Sequence, residues 1–237
     1  MITLAHDYET TGVDPRTCGV VQSAIAIVDL SIDGSWEILA QEVALHHPGC
    51  PIPDGAARVH GIYDQHVADK PHFEESLAAT FEQAFTEFRP EAVLGYNSNR
   101  FDNLIARRLG LPEGLVEVDL MVAAQRLMNR GVLERSRLVD AYEGLVGRPA
   151  ENAHDALADV TMTLELIQPV MRLMEFDQLG QLVSWLTTTE VDVEMLMPFG
   201  KHKGMKLNTV PRRYLRWLLD KGDLQRDLEA SIREVLA

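Results

Sequence analysis

Cysteine is almost missing from this chain: two in 237 residues, Cys18 and Cys50, in unrelated contexts and with no Cys-x-x-Cys pair. That excludes a disulfide framework and a clustered zinc site, and leaves reduced thiols in a cytoplasmic protein as the expectation. Long apolar runs are missing too. No stretch approaches the roughly 18 to 20 residues that cross a bilayer. Charge at positions 6, 7 and 9 leaves no room for the apolar core of a signal peptide, so no membrane partner is expected. Basic residues are scarce, 22 Lys and Arg against 36 Asp and Glu, for a net charge of −14. This argues against a wholly basic nucleic-acid coat, though not against an acidic, metal-loaded cleft with basic groups placed locally. There are no internal repeats or low-complexity tracts. What remains is an ordinary globular composition, 46% hydrophobic and 24% charged. Its length suits one sizeable α/β domain, or one domain with a small appendage.

The organising stretch comes first. Met1 to Ala5 is a short apolar run, and His6-Asp7-Tyr8-Glu9-Thr10-Thr11-Gly12 follows it. On a strand, residues two apart share a face, so Asp7 and Glu9 point the same way. Two carboxylates at the end of a buried strand repel each other and are costly to desolvate unless a cation neutralises them. Hard oxygen ligands of this kind suit Mg²⁺ or Mn²⁺. A solvated strand end running into a Thr-Gly turn would read the same way.

The rest of the chain reads as alternating elements. Val20 to Leu30 is a strand, Asp33-Gly34 a hairpin turn, and Trp36 to Leu45 the partner strand. His46 and His47 close that strand. Residues 48 to 72 suggest a loop with short helices. Phe73 to Phe88 has apolar residues at 73, 77, 81, 84, 85 and 88, the spacing of a helix with an acidic outer face. Glu91 to Tyr96 is a short buried strand, followed by a helix entry at Asn97-Ser98-Asn99 and a helix over 100–109 that Gly110 and Pro112 stop. Val116 to Leu120 is a further strand, leading into a helix to about residue 129; helices follow over 137–146 and 155–174. This order predicts an α/β fold, a mixed sheet covered by helices on both faces.

Then the composition shifts. Thr187-Thr188-Thr189 and an acidic stretch through Glu194 suggest a linker. From Met195 to Leu219 there is no acidic residue but six basic ones, Lys201, Lys203, Lys206, Arg212, Arg213 and Arg216. Gly200 and Gly204 suggest a tight hairpin displaying Lys201, His202 and Lys203. Tyr214 and Trp217 share a helix face and are expected to form the small core of this part rather than a base-stacking platform. Asp223 to Ala237 reads as an amphipathic helix. The expected division is a domain over 1–178 and a small basic module over 190–237.

Two further carboxylates complete the set. Asp102 opens a helix just beyond the fourth strand, where the helix dipole would favour an acid in any case. Asp159 lies in Ala153-His154-Asp155-Ala156-Leu157-Ala158-Asp159. Asp155 is placed to cap the helix, His154 to lie outside it on the entering loop, and Asp159 to project from the second turn. A loop histidine suits a general base.

Asp7-x-Glu9 followed by Thr-Thr-Gly, Asn97-x3-Phe101-Asp102 and His154-x4-Asp159 resemble, in order, the three motifs of the DnaQ-like 3′→5′ exonucleases of the histidine (DEDDh) subtype. HDYETTG, GYNSNRFDN and AHDALADV resemble stretches of the exonuclease I branch. Ala57 to Phe73 resembles proofreading exonucleases and exonuclease X, and Met197 to Leu219 a module that ends exonuclease X. The resemblance implies a ribonuclease H-like mixed five-stranded sheet with helices on both faces. It implies two Mg²⁺ or Mn²⁺ ions held by Asp7, Glu9, Asp102 and Asp159, with Asp7 bridging them and His154 taking a proton from the attacking water. It implies contacts to the terminal nucleotides from Thr10, Thr11, His60, Asn97 and Phe101, although Phe101 could equally be core and Thr11 turn chemistry. The implied substrate is a DNA 3′ end, on single strands or 3′ overhangs. The acid-free clustering of basic residues in an acidic chain independently suggests a phosphate-binding surface that includes Lys201 and Lys203. Alternatives are an exoribonuclease of the same superfamily, or a proofreading or non-catalytic nucleic-acid-binding subunit; the complete acidic set and His154 speak against lost catalysis. Oligomeric state is not legible.

Overall fold

The computed structural model describes residues 1–222 and 224–237. Asp223, expected to open the last helix, lies outside the described residues. Three antiparallel strands come first: β1 (Ile2–Thr10), β2 (Val20–Leu30) and β3 (Trp36–Leu45). The crossover carries α1 (Asp54–His60), α2 (Asp64–Val67) and α3 (Phe73–Glu87). It leads to β4 (Ala92–Gly95), a 3₁₀ turn at Ser98–Arg100 and α4 (Asp102–Arg108). β5 (Val116–Asp119) runs straight into α5 (Leu120–Asn129). The remainder is helical: α6 (Leu138–Val146), α7 (Ala156–Glu165), α8 (Ile167–Leu173), α9 (Leu179–Thr187), α10 (Arg212–Lys221) and α11 (Arg226–Leu236). The sheet order is β3-β2-β1-β4-β5, with β4 and β5 parallel to their neighbours, so the expected mixed five-stranded sheet forms.

Strand parity sorts the residues of β1 between two cores. Leu4 and Tyr8 join Ile25 and Ile27 of β2 under α3 and α4, against Phe73, Leu77, Phe81, Ile105 and Ala106. Ala5 joins Ala24, Ala26 and Val28 on the other face, against Leu127 of α5, Val160 and Leu164 of α7 and Leu182 of α9. Alanines on that face leave room for α7 to lie close, with Ala156 fully buried against it. Asp7 and Glu9 continue the odd-numbered series of Ala5, so they face the helix that carries Asp159.

The expected helix over 155–174 is two helices. Pro169 removes one backbone donor and crowds the carbonyl four residues earlier, and the chain breaks at Leu166. The sequence reading did not anticipate α9. Its Leu179, Leu182 and Leu186 are buried in the main core, which therefore continues past residue 178.

The acidic stretch after α9 is pinned rather than loose. Arg126, 2% exposed on α5, donates from Nε to Asp227 Oδ2 at 2.6 Å, and its other nitrogens donate to the carbonyls of Trp185 and Thr188. Asp227 Oδ1 accepts from the Glu190 amide at 3.0 Å. Arg130 pairs with Glu190. Beyond it, Met195, Met197, Leu207, Leu215, Leu218, Leu228 and Ile232 form a separate small core. The expected hairpin is present: the Met197 amide donates to Met205 O at 2.8 Å, with Gly200 and Gly204 both left-handed. A Cβ on Gly200 would fall 2.4 Å from the Tyr214 hydroxyl. Tyr214 packs on this core as expected, but Trp217 does not. Leu215 and Leu218 take the inward face of α10, and Trp217 is 46% exposed, stacked on Tyr214 with Lys221 Nζ 5.0 Å from its ring centroid.

Candidate active site

The third motif is built by a strand as much as by its own helix. In the β1–β2 register Gln22 lies opposite Glu9. Gln22 accepts from the Ala156 amide at 3.1 Å and donates to Asp155 Oδ2 at 3.1 Å. Asp155 caps α7, its Oδ1 accepting from the Ala158 amide at 3.2 Å. The clasp fixes the start of α7 beside β1. Asp159 leaves the first turn of α7, not the second, and His154 stands outside it in a left-handed conformation, φ 70°. Such a conformation is strained for a residue with a side chain, and it aligns what helical periodicity would separate. Ligand atoms of Glu9, His154 and Asp159 lie within 4.8 Å of one another.

The second motif arrives from β4, which runs parallel to β1, so its carboxyl end and the Asp7 end of β1 meet. Asn97 is left-handed, φ 61°, and the chain turns through the 3₁₀ segment into α4, placing Asp102 in the first helical turn, 4% exposed. Asp119, the last residue of β5, organises this turn. It accepts from the amides of Asn97 at 2.8 Å and Asn99 at 3.2 Å while capping α5 through Met121 at 3.0 Å.

The electrostatics describe a cluster short of positive charge. Burial raises Asp7 well above the usual carboxylate range, and Asp102, Asp159 and Glu9 raise it further. Glu9 is pushed up to about 8 by burial and then by Asp159. Asp102 rises to about 8, again mainly by burial, with the nearby backbone amides opposing. Asp159 rises to about 6 by burial, held back by His154. Asp159 Oδ1 is buried and has no hydrogen-bond partner among the described residues. Four mutually repelling carboxylates, Glu9 and Asp102 buried and Asp7 and Asp159 half-buried, with an orphaned oxygen are a donor set that fits hard divalent cations.

The expected substrate contacts divide. His60, at the end of α1, accepts from the Ile62 amide through Nδ1 at 3.1 Å, while its Nε2 is buried without a partner among the described residues. Burial lowers its basicity, the Thr10 backbone raises it and the nearby His154 lowers it, which places it at this site. Thr10 and Thr11 bond within their own turn: Thr10 Oγ1 donates to Gly12 O at 2.8 Å, and Thr11 Oγ1 accepts from the Gly19 amide at 3.0 Å. Phe101 packs partly buried on the α3–α4 core. Lys201 and Lys203 lie in the C-terminal part, Lys201 Nζ 5.2 Å from the Tyr214 ring centroid.

Sequence reasoning missed three residues that build the site: Asp119, Gln22 and His6. Asp119 was legible as an acid where a strand meets an apolar helix, a cap signal. Gln22 is a long polar side chain interrupting an apolar strand. His6 was assigned no role, yet it ties β1 to α4.

One end of a mixed sheet thus gathers four carboxylates and a histidine, a donor set that fits divalent cations. The sequence profile of a family described as "Exonuclease" matches residues 4–167, and the chain belongs to that family, in its DnaQ-like group. A second profile, described as "Putative quorum-sensing-regulated virulence factor", matches residues 188–235, a description that names no chemistry. No curated protein matches the chain. Among solved structures, exonuclease I superposes with a TM-score of 0.64 at 24% identity, covering 81% of this chain and 46% of that one. The Escherichia coli exonuclease I complex with a dT13 oligonucleotide gives 0.62 at 24%, with the same coverage. An apo exonuclease I gives 0.60 at 25%, covering 81% and 47%. The shared fold is ribonuclease H-like. The chain spans less than half the length of these structures. No helix among the described residues is long and apolar enough to cross a membrane.

Proposed function

We propose that this chain is a metal-dependent 3′→5′ exodeoxyribonuclease acting in the cytoplasm. It would release nucleoside 5′-monophosphates from single-stranded DNA 3′ ends. The observation that carries this reading is the convergence of Asp7, Glu9, Asp102 and Asp159 on one sheet end, with His154 against Glu9 and Asp159. Those four carboxylates would hold two Mg²⁺ or Mn²⁺ ions, Asp7 shared between them. When bound, the ions supply charge neutralisation at the phosphoryl group and a water acidic enough to lose a proton near neutral pH.

The chain's own residues do the rest. His154 accepts the water's proton from a loop position that Gln22 and Asp155 hold in place. His60, at the end of α1 beside Thr10 and His154, would contact the terminal nucleotide. Asn97 and Phe101, on the turn that Asp119 braces, line the approach to Asp102. Thr10 and Thr11 form the rim through the turn they stabilise.

The test is direct. The protein is incubated with single-stranded DNA, duplex DNA and RNA, each labelled at the 3′ or the 5′ end, with Mg²⁺, Mn²⁺ or EDTA. Mononucleotide release from the 3′ end of DNA with metal and none in EDTA is expected. No release with either metal overturns the enzyme reading. Release from RNA alone replaces the substrate assignment.

A further inference from the structure

The C-terminal part, residues 188–237, docks against α5 and the loop that follows it. The seam between them is an open groove of about 480 Å³. One wall is α5 and the following loop, with Gln125, Arg135 and Arg137. The other is the C-terminal hairpin, with Phe199 and Lys203. Arg100 stands at the end nearer the active site. A second hollow of about 280 Å³ shares Arg100, Gln125 and Gln225 with it and reaches Asn97, Asn99 and Asp119. The two hollows form one trough leading from the turn that carries Asp102 to the basic hairpin.

The walls are fixed to that turn. Tyr96, directly before Asn97, donates from its hydroxyl to Ser136 O at 2.7 Å, tying down the loop with Arg135 and Arg137. Arg100 donates to Leu224 O at 2.8 Å, tying down the C-terminal part. The buried Arg126–Asp227 pair locks the same seam from behind. The larger hollow has four cationic residues, Arg100, Arg135, Arg137 and Lys203, against one acidic one, Glu134, in a chain of net charge −14. Arg137 is paired with Asp140. Phe199 is 43% exposed at its rim. The smaller hollow is balanced, Arg100 and Arg226 against Asp119 and Glu229, so the cationic stretch is the larger one. Its spaced cations and exposed aromatic ring have the chemistry of a single-stranded nucleic-acid track, in which phosphates meet charge and a base meets a ring.

We propose that this seam carries the single-stranded DNA lying upstream of the 3′ end. The proposal rests on the exonuclease reading for its direction, while its charge and shape stand independently. It assigns the C-terminal part a function only in the docked state: half of a track, not a separate DNA-binding domain.

The experiment measures binding in EDTA, where no strand is cut, by fluorescence anisotropy with labelled oligothymidylates of about four and about twenty nucleotides. Full-length wild type, Arg135→Glu and Phe199→Ala are compared. Arg135→Glu should weaken binding of the longer oligomer about tenfold. It should also lower the slope of log affinity on log salt by about 0.7 per lost phosphate contact. Phe199→Ala should weaken the longer oligomer without changing that slope. The ratio of long-oligomer to short-oligomer affinity should fall in both variants. Unchanged long-oligomer affinity in Arg135→Glu, or no binding by wild type, overturns the track. Weaker binding by the variants of a protein that degrades no DNA keeps the track and sinks the catalytic reading; degradation with no effect of either variant does the reverse. If a far-ultraviolet circular dichroism spectrum shows either variant misfolded, Arg135→Gln and Phe199→Ser replace them with the same expected ordering.

Discussion

His6 Nε2 lies 2.8 Å from Asn103 Oδ1, and His6 Nδ1 lies 2.8 Å from the Tyr8 hydroxyl. Asn103 donates in turn from Nδ2 to Asn99 Oδ1 at 3.1 Å, so His6 donates from Nε2 and accepts the Tyr8 proton at Nδ1. This buried chain joins β1 to the turn that delivers Asp102. Burial lowers the His6 pKa to about 4, consistent with a neutral structural ring. His6→Ala should cost about 2–4 kcal/mol, because Tyr8 Oη and Asn103 Oδ1 lose their partner in a dry site and a cavity opens. Urea unfolding checks this, and an unchanged midpoint would show that the network adds nothing. The folded pKa lies below the usual histidine value of 6.5, so the unfolded chain binds a proton that the folded chain refuses. Through this residue, stability falls as pH drops from about 6.5 to about 4.

The acidic cluster gives the opposite sign. Glu9 and Asp102 at about 8 and Asp159 at about 6 lie above their ordinary values of 4.5, 3.8 and 3.8. Between those limits the metal-free folded protein keeps protons that the unfolded chain has released. Its stability should therefore fall as pH rises from about 4 to about 8. Mg²⁺ replaces those protons, so saturating Mg²⁺ should abolish the alkaline loss. Melting temperatures across that range in EDTA and in Mg²⁺ decide the point; two parallel profiles would show that the carboxylates do not share a metal site.

Asp7→Asn should abolish DNA hydrolysis and raise the metal-free stability by about 1–2 kcal/mol, because it removes the most crowded charge in the cluster. Calorimetry in EDTA measures the second effect. A melting temperature below that of wild type would mean that Asp7 stabilises the fold rather than straining it.

His154→Ala should slow hydrolysis about 10²- to 10⁴-fold while metal affinity, titrated calorimetrically, stays within a few-fold of wild type. Loss of metal affinity on the scale of the rate would make His154 a ligand instead of a base. Its position within 4.8 Å of Glu9 and Asp159 leaves both roles sterically open, and the measurement separates them.

Asp227→Ala leaves the buried Arg126 with only the more distant Glu190 carboxylate, 3.5 Å from its Nε, which should cost about 3 kcal/mol. The strain falls on the seam, so limited proteolysis should cut near residues 187–194 in the variant and not in wild type. A variant as protease-resistant as wild type would show that the remaining contacts of Arg226 with the carbonyls of Leu186, Thr187 and Thr188 suffice. Deleting 190–237 exposes the same arginine and also removes Asp227, so the point substitution is the cleaner probe.

The sequence alone determined the five strands, and period-two parity put Asp7 and Glu9 on one face. It joined Asp102, Asp159 and His154 to them as candidates only through the resemblance of three motifs to the DnaQ-like exonucleases, although a cap residue at Asp155 marked the start of a helix by local physics. Contacts between distant residues were decided by the tertiary structure. Gln22 clasps α7 across 134 positions, Asp119 braces a turn twenty residues upstream, and Arg126 meets Asp227 across 101. No local periodicity encodes such pairs, because burial and hydrogen bonding select them only after the sheet is assembled. For the same reason Trp217, read as core from its spacing, lies outside, and a presumed linker proved to be a docked seam. Motifs named the catalytic candidates; packing decided which residues hold them in place.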